Sequence, residues 1–260
     1  MSNLKRRIID LNILVRGGDP GGAMLFFIVL LAIPIAALVL MRAFAADLYD
    51  AVVTHKLTTP WYTAVLTELP SNAHVLDVGI GTAMALMNNV TLVRAKGLNI
   101  VGIDYEPKYV EKAKRIVAQH GLAGCVDVRC QSVYDSLPRS RDQTGRYDAV
   151  YFSGSFTLLP DPVAALHQVA KALKPAGKIY ITQTFQKKAV PLLKVVKPLL
   201  KYATTIDFGQ LTFEADVKGI VSDSGCRLDE YRAIDTSVQN SYQTSRMLIV
   251  SPRSTGLNPM

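Results

Sequence analysis

The chain has 260 residues, with 29 Lys and Arg against 21 Asp and Glu, giving a formal net charge of +8. Apolar residues at 49% and charged residues at 19% exclude a disordered or low-complexity chain and suffice for one enzyme-sized domain with an appendage. Three cysteines without a Cys-x-x-Cys pair, and four scattered histidines, argue against a disulfide framework and against a metal enzyme.

A mean hydropathy of +0.20 directs attention first to a membrane segment. Gly21 to Met41 is a run of 21 residues without a charge, and at a 1.5 Å rise about 20 residues cross the hydrocarbon core. Residues 23–46 are therefore expected to form a transmembrane anchor, behind a basic segment over 1–22 that holds Lys5, Arg6, Arg7 and Arg16. Pro34 would bend such a helix, which membrane helices tolerate. A signal peptide cleaved near Ala43-Phe44-Ala45 is one alternative, although the run is long and late for that role. A mitochondrial presequence is another, although Asp10 and Asp19 are untypical of one. The expectation is a single-pass protein of a mitochondrial membrane or an endomembrane, with its sidedness open. Residues 47–73 read as a helical lead-in, where Trp61, Tyr62, Val65 and Leu66 recur at helical spacing and Pro70 closes the segment.

From residue 74 short apolar runs alternate with amphipathic stretches. Val75–Val78 is expected as a strand, followed by a helix from Thr82 to about Val93. A strand over 99–103 and a helix over 107–120 follow, then a strand over 126–130. A fourth strand at 149–152, a helix over 162–173 and a fifth strand at 178–182 complete the alternation. After a basic stretch and a helix over 212–224, Arg227–Ile234 and Met247–Val250 read as two strands joined without a helix, hence antiparallel. Residues 74–251 are thus expected as an α/β domain. Its fold would be Rossmann-like and doubly wound, a mostly parallel seven-stranded sheet with an antiparallel C-terminal hairpin, ahead of a tail over 252–260.

The segment Val75-Leu76-Asp77-Val78-Gly79-Ile80-Gly81-Thr82-Ala83 carries most of the chemistry. Gly79 and Gly81 let the backbone turn tightly and approach a ligand. Asp77, two residues earlier, sets a carboxylate at the strand's end. It can accept hydrogen bonds from an ammonium group and would repel a pyrophosphate, which argues against a dinucleotide. Asp104 lies 23 residues beyond Gly81, at the end of the second strand, where an acid can accept both ribose hydroxyls of a nucleoside. Tyr105 follows it and could lie against that nucleoside.

With these residues the chain resembles the class I S-adenosylmethionine-dependent methyltransferases over roughly residues 60–251. Further matching segments are Ile103-Asp104, Ser132-Val133, Tyr147-Asp148-Ala149-Val150 and Leu173-Lys174-Pro175-Ala176-Gly177. The resemblance implies S-adenosylmethionine as the donor. Asp77, Gly79, Gly81 and Thr82 would line its methionine part, Asp104 and Tyr105 the ribose, and Ser132 and Val133 the adenine. Ser153 would face the methyl sulfonium. Tyr62, on a segment that often closes over the donor in this family, joins Ser153 as a candidate catalytic contact; no catalytic residue is otherwise assigned. The sequence departs from the family at Ala83, where a third glycine is usual, at Ser132, where an acid is common, and at Ala176, where a second glycine is familiar.

Methyl transfer from a sulfonium relies mainly on holding donor and acceptor at attack distance, and a base is needed only when the acceptor must lose a proton early. Tyr151-Phe152-Ser153-Gly154-Ser155-Phe156 lacks the Asn/Asp-Pro-Pro-Tyr tetrad and the Pro-Cys nucleophile of family members that act on bases. These omissions point away from nucleic acid and towards a small or lipid-like acceptor. The basic stretch 187–201 has five lysines and no acid and could rest on anionic headgroups beside the anchor. The reading is a membrane-anchored methyltransferase. Its rivals are an inactive methyltransferase-fold subunit of a membrane complex and an RNA methyltransferase.

Overall fold

The structure, a computed structural model, describes residues 24, 26–36, 39–40, 50–137, 139–140, 146–188 and 212–253. The described residues fall in two units, an N-terminal helical run and an α/β domain. In the first, residues 26–36 are helical, and all six consecutive side chains from Phe26 to Leu31 are large, apolar and exposed. Six successive positions go more than once around a helix, so this run is apolar on every side. Among the described residues no helix is long and apolar enough to cross a membrane. The spanning helix expected over 23–46 is therefore not seen: the eleven residues of 26–36 reach about 16 Å, roughly half a hydrocarbon core. The basic segment 1–22, most of the stretch 187–201 and the tail beyond Arg253 lie outside the described residues.

The α/β domain opens with a π-helical segment, Asp50–Thr58, that leads into α1, Thr59–Glu68. Pro60 suits the first turn of α1, and Leu69 turns extended ahead of Pro70, ending it. Then come β1 (His74–Val78), α2 (Met84–Met87), α3 (Val90–Ala95), β2 (Asn99–Asp104), α4 (Pro107–Gln119), β3 (Val126–Cys130) and β4 (Tyr147–Ser153). The chain continues as α5 (Pro162–Lys171), β5 (Leu173–Gln186), α6 (Glu214–Asp223), β6 (Cys226–Ala233) and β7 (Gln243–Pro252). Seven strands form one sheet in the order β3-β2-β1-β4-β5-β7-β6; β1 to β5 run parallel, while β7 pairs antiparallel with both β5 and β6.

Strand alternation divides the core in two. Val75, Ile100, Val128, Ala149, Tyr151 and Ile249 face the layer of α1 to α4, where Trp61, Leu66, Leu86 and Val117 are buried. Leu76, Val101, Ile103, Val150, Phe152, Ile179 and Leu248 face α5 and α6. Asp77 stands between Leu76 and Val78 and so shares the face of Val75, under α1.

The one long helix expected over 82–93 is two short ones. Asn89 is the cause: its side-chain amide donates to the Ala85 carbonyl at 2.9 Å, and its Oδ1 accepts from Thr63 Oγ1 at 2.6 Å. An asparagine that bonds the helix carbonyls itself competes with the helix ladder. β5 runs past its expected carboxyl end because its pairing with β7 continues from Ile179↔Val250 to Gln186↔Gln243, and it begins earlier, at Leu173, which pairs with Tyr147 of β4.

Candidate donor site at the ends of β1, β2 and β4

β1 and β4 are neighbours in the sheet, while β1 connects onward to β2 on one side and β4 to β5 on the other. This is the switch point where open α/β sheets form a crevice outside the carboxyl ends of their strands. Asp77, the Gly79–Ala83 loop, Asp104 and Ser153 all converge there.

Asp77 is 1% exposed. Its Oδ2 accepts the Tyr62 hydroxyl at 2.6 Å, whereas its Oδ1 is buried without a hydrogen-bond partner. Burial pushes the carboxyl up to about 7; the Tyr62 hydrogen bond opposes this, and the nearby Asp104 charge adds to it. Burial, followed by Asp77, likewise raises the Tyr62 phenol. Tyr62 meets Tyr151 edge-on with ring centroids 4.9 Å apart, and the Tyr151 hydroxyl pairs with Thr182 Oγ1 at 2.9 Å.

Past β1 the N–H groups of Gly79 and Ile80 both donate to the Ile103 carbonyl, at 2.8 and 3.2 Å, which ties the loop to β2. Gly79, Gly81 and Ala83 all have left-handed backbones, with φ of +77°, +57° and +61°. A Cβ at Gly79 would sit 2.5 Å from the Ser155 Cβ, whereas one at Gly81 would meet nothing within 4 Å. The two glycines thus serve different ends: Gly79 admits a neighbouring loop, and Gly81 leaves open space over the backbone. Ala83 holds the left-handed turn just before α2, although such a backbone costs an L-residue about 1–2 kcal/mol. A third glycine at this position would carry no such cost, so the departure at Ala83 introduces strain where α2 has not yet begun.

Asp104 is 8% exposed and uses both oxygens, Oδ2 accepting the Gly81 N–H at 3.0 Å and Oδ1 the Glu106 N–H at 2.9 Å. Burial raises its carboxyl, while the backbone N–H groups of Glu106, Gly81 and Tyr105 pull it back. Thr82 is half-buried beside Gly81. Tyr105 is 79% exposed, so its ring lies on the surface directly after Asp104. Ser132 is half-buried; its N–H donates to Asp135 Oδ2 at 3.1 Å and its Oγ accepts the Tyr134 N–H at 3.3 Å. Val133 is buried in the core with Val78 and Ile103. The Ser153 hydroxyl is buried without a hydrogen bond of good geometry.

Several contributors escaped the sequence reading. Ser155 braces the loop by donating to the Val78 carbonyl. Gly102 lies under Ile80, whose Cδ1 would be 2.4 Å from a Cβ there; a glycine inside a strand is the signal that could have revealed it. The Tyr134 hydroxyl bridges both backbone groups of Asp161, at 2.9 and 3.0 Å, and clamps the loop after β3 to the start of α5. Trp61 does more than pack, because its Nε1 donates to Ser237 Oγ at 3.0 Å in the β6–β7 connection. His167 lines an open cleft of about 390 Å³ with Lys171, Cys226 and Arg253, at the amino-terminal end of β5 and so remote from this crevice. Among the described residues no His, Cys, Asp and Glu group could hold a metal.

The residues fit a cationic nucleoside carrying an amino-acid tail: an unpartnered buried carboxylate oxygen for an ammonium group, open space at Gly81, and a second acid on β2. A family model described as a methyltransferase domain matches residues 69–220. The ubiquinone biosynthesis O-methyltransferase of Xanthomonas oryzae pv. oryzae is 34% identical over 128 residues, covering 48% of this chain and 49% of that one. The chain therefore spans about half the length of the curated relatives it matches. In fold, the S-adenosylmethionine-dependent methyltransferase from Thiobacillus denitrificans, solved in complex with S-adenosyl-L-homocysteine, is similar with a TM-score of 0.55 at 15% identity, over 80% of this chain and 98% of that one. The [4+2]-cyclase SpnF is similar with a TM-score of 0.58 at 16% identity, over 74% and 81%. Loop, sheet order and family match agree: the chain belongs to the class I S-adenosylmethionine-dependent methyltransferases.

Proposed function

We propose that this chain binds S-adenosylmethionine across the ends of β1 and β2 and transfers its methyl group to a hydroxyl oxygen of a small, lipid-like acceptor at a membrane. The observation that carries the reading is the left-handed Gly79–Gly81 loop set between two buried acids, one of them with an unpartnered oxygen. Asp77 Oδ1 would take the ammonium of the methionine part. Asp104 would take the ribose hydroxyls with the acceptor capacity its carboxylate keeps beyond its backbone donors. Ser132, with Asp135 beside it, borders the adenine side. When bound, the sulfonium supplies an activated methyl group; the chain's own part is to orient it and exclude water. Ser153 Oγ, buried at the end of β4, would face the methyl sulfonium.

The names of the curated relatives support a hydroxyl of a ubiquinone precursor as the acceptor. A helical run apolar on every side supports attachment to a bilayer through residues 23–46. Lys187 and Lys188 open the basic stretch that would face anionic headgroups. Titration calorimetry with S-adenosyl-L-homocysteine tests the donor half, with saturable one-to-one binding expected and no heat counting against it. Transfer of labelled methyl from the donor to prenylated catechols in detergent tests the acceptor half. Label that stays in the donor while the donor binds would discard the acceptor and keep the site.

A further inference from the structure

Asp77 is surrounded by groups that cannot neutralise it. Tyr62 approaches from α1, Asp104 from β2 and Tyr151 from β4, and none of these is cationic. A buried carboxylate in such company is costly unless hydrogen-bonded and paired. The structure supplies the hydrogen bond, from Tyr62 to Oδ2, and leaves Oδ1 without a partner. Tyr62 is itself fixed from both ends: the Tyr151 ring abuts it edge-on, and the adjacent Trp61 is anchored to Ser237.

We infer that Tyr62 is a donor-positioning residue, which by holding Oδ2 turns the Asp77 carboxylate so that Oδ1 receives the ammonium group of the donor. The inference rests on the donor site proposed above and adds a division of labour within the Asp77 carboxylate. It also ties donor binding to pH. Asp77 binds an ammonium when ionised, burial pushes it up to about 7, and the Tyr62 hydrogen bond holds it below where burial alone would set it. Removing that hydrogen bond lets the carboxyl rise further, so less of it is ionised at neutral pH.

The test compares two ligands on wild type and Tyr62→Phe, which keeps the ring against Tyr151. S-adenosyl-L-homocysteine carries the amino-acid tail; 5′-methylthioadenosine has the same nucleoside and sulfur without it. Tyr62→Phe should weaken S-adenosyl-L-homocysteine about tenfold at neutral pH, as expected for a lost hydrogen bond to a charged group, and leave 5′-methylthioadenosine within about twofold. The acid limb of S-adenosyl-L-homocysteine affinity should move to higher pH in the variant. In an Asp77→Asn background the same substitution should have no further effect. Equal losses for the two ligands, or no loss for either, would overturn the positioning role while the donor site stands. If wild type binds neither ligand, the donor site falls and this inference with it.

Discussion

Gly79 and Gly81 share a left-handed backbone but differ in what surrounds them, and alanine at each should separate stability from binding. At Gly79 the new methyl would lie 2.5 Å from the Ser155 Cβ. The backbone cost is about 1–2 kcal/mol and overpacking about 1–3 kcal/mol, less about 0.4–1 kcal/mol because alanine stiffens the unfolded chain. Gly79→Ala should therefore lose about 1–4.5 kcal/mol in urea unfolding. Adding Ser155→Gly removes the clash but forfeits the hydrogen bond to the Val78 carbonyl, worth about 1 kcal/mol, so the double variant should recover up to about 2 kcal/mol. Gly81→Ala has open space around it and should lose about 1.5 kcal/mol or less. Its methyl group would instead occupy donor space, weakening S-adenosyl-L-homocysteine roughly ten- to hundredfold by calorimetry. A Gly81→Ala protein with wild-type affinity would refute the close approach of loop and donor. A Gly79→Ala protein of wild-type stability would refute the Ser155 contact.

Asp104→Ala should cost S-adenosyl-L-homocysteine about tenfold or more in affinity, and unchanged calorimetry would show that the ribose is held elsewhere. Because burial holds the Asp77 carboxyl above its unfolded value, the folded protein binds the proton more tightly. Its contribution to stability is then fully present below the unfolded range near pH 4 and is lost as the pH rises towards 7. Asp77→Asn should accordingly flatten the pH dependence of urea unfolding across that interval and stabilise the ligand-free protein at neutral pH; an unaltered profile would show that Asp77 does not titrate there. Deleting residues 1–46 should abolish flotation with anionic vesicles or sharply reduce it, and full retention would reject the anchor.

The sheet was legible because parallel strands buried on both faces read as short apolar runs, as in Val75-Leu76 and Ile100-Val101, each followed by an amphipathic helix. The positions of Asp77, Gly79, Gly81 and Asp104 were legible for a related reason: turns at the carboxyl ends of strands demand particular residue types. What could not be read depends on contacts between distant elements. Nothing local in Tyr62 signals that its hydroxyl reaches Asp77, since the pairing arises from α1 lying on that face of β1. Ser155 and Gly102 became part of the site because the loop after β1 packs against the loop after β4 at Gly79 and against β2 at Ile80. The break at Asn89 turns on a side chain outcompeting the helix for the Ala85 carbonyl, which helix periodicity does not register. Ala83 looked like the first turn of a helix because alanine favours helices, yet its backbone is left-handed. Tyr105 follows Asp104 directly, but the chain there sends successive side chains in opposite directions, burying the acid and exposing the ring.

The central claim is that one crevice holds the donor between Asp77 and Asp104, and a crystal structure of the protein with S-adenosyl-L-homocysteine tests it most directly. The account expects the ligand ammonium within hydrogen-bond distance of Asp77 Oδ1, Tyr62 still on Oδ2, and the ribose hydroxyls on Asp104. Ligand density elsewhere on the molecule, or an Asp77 carboxylate that makes no contact with the bound ligand, would contradict it.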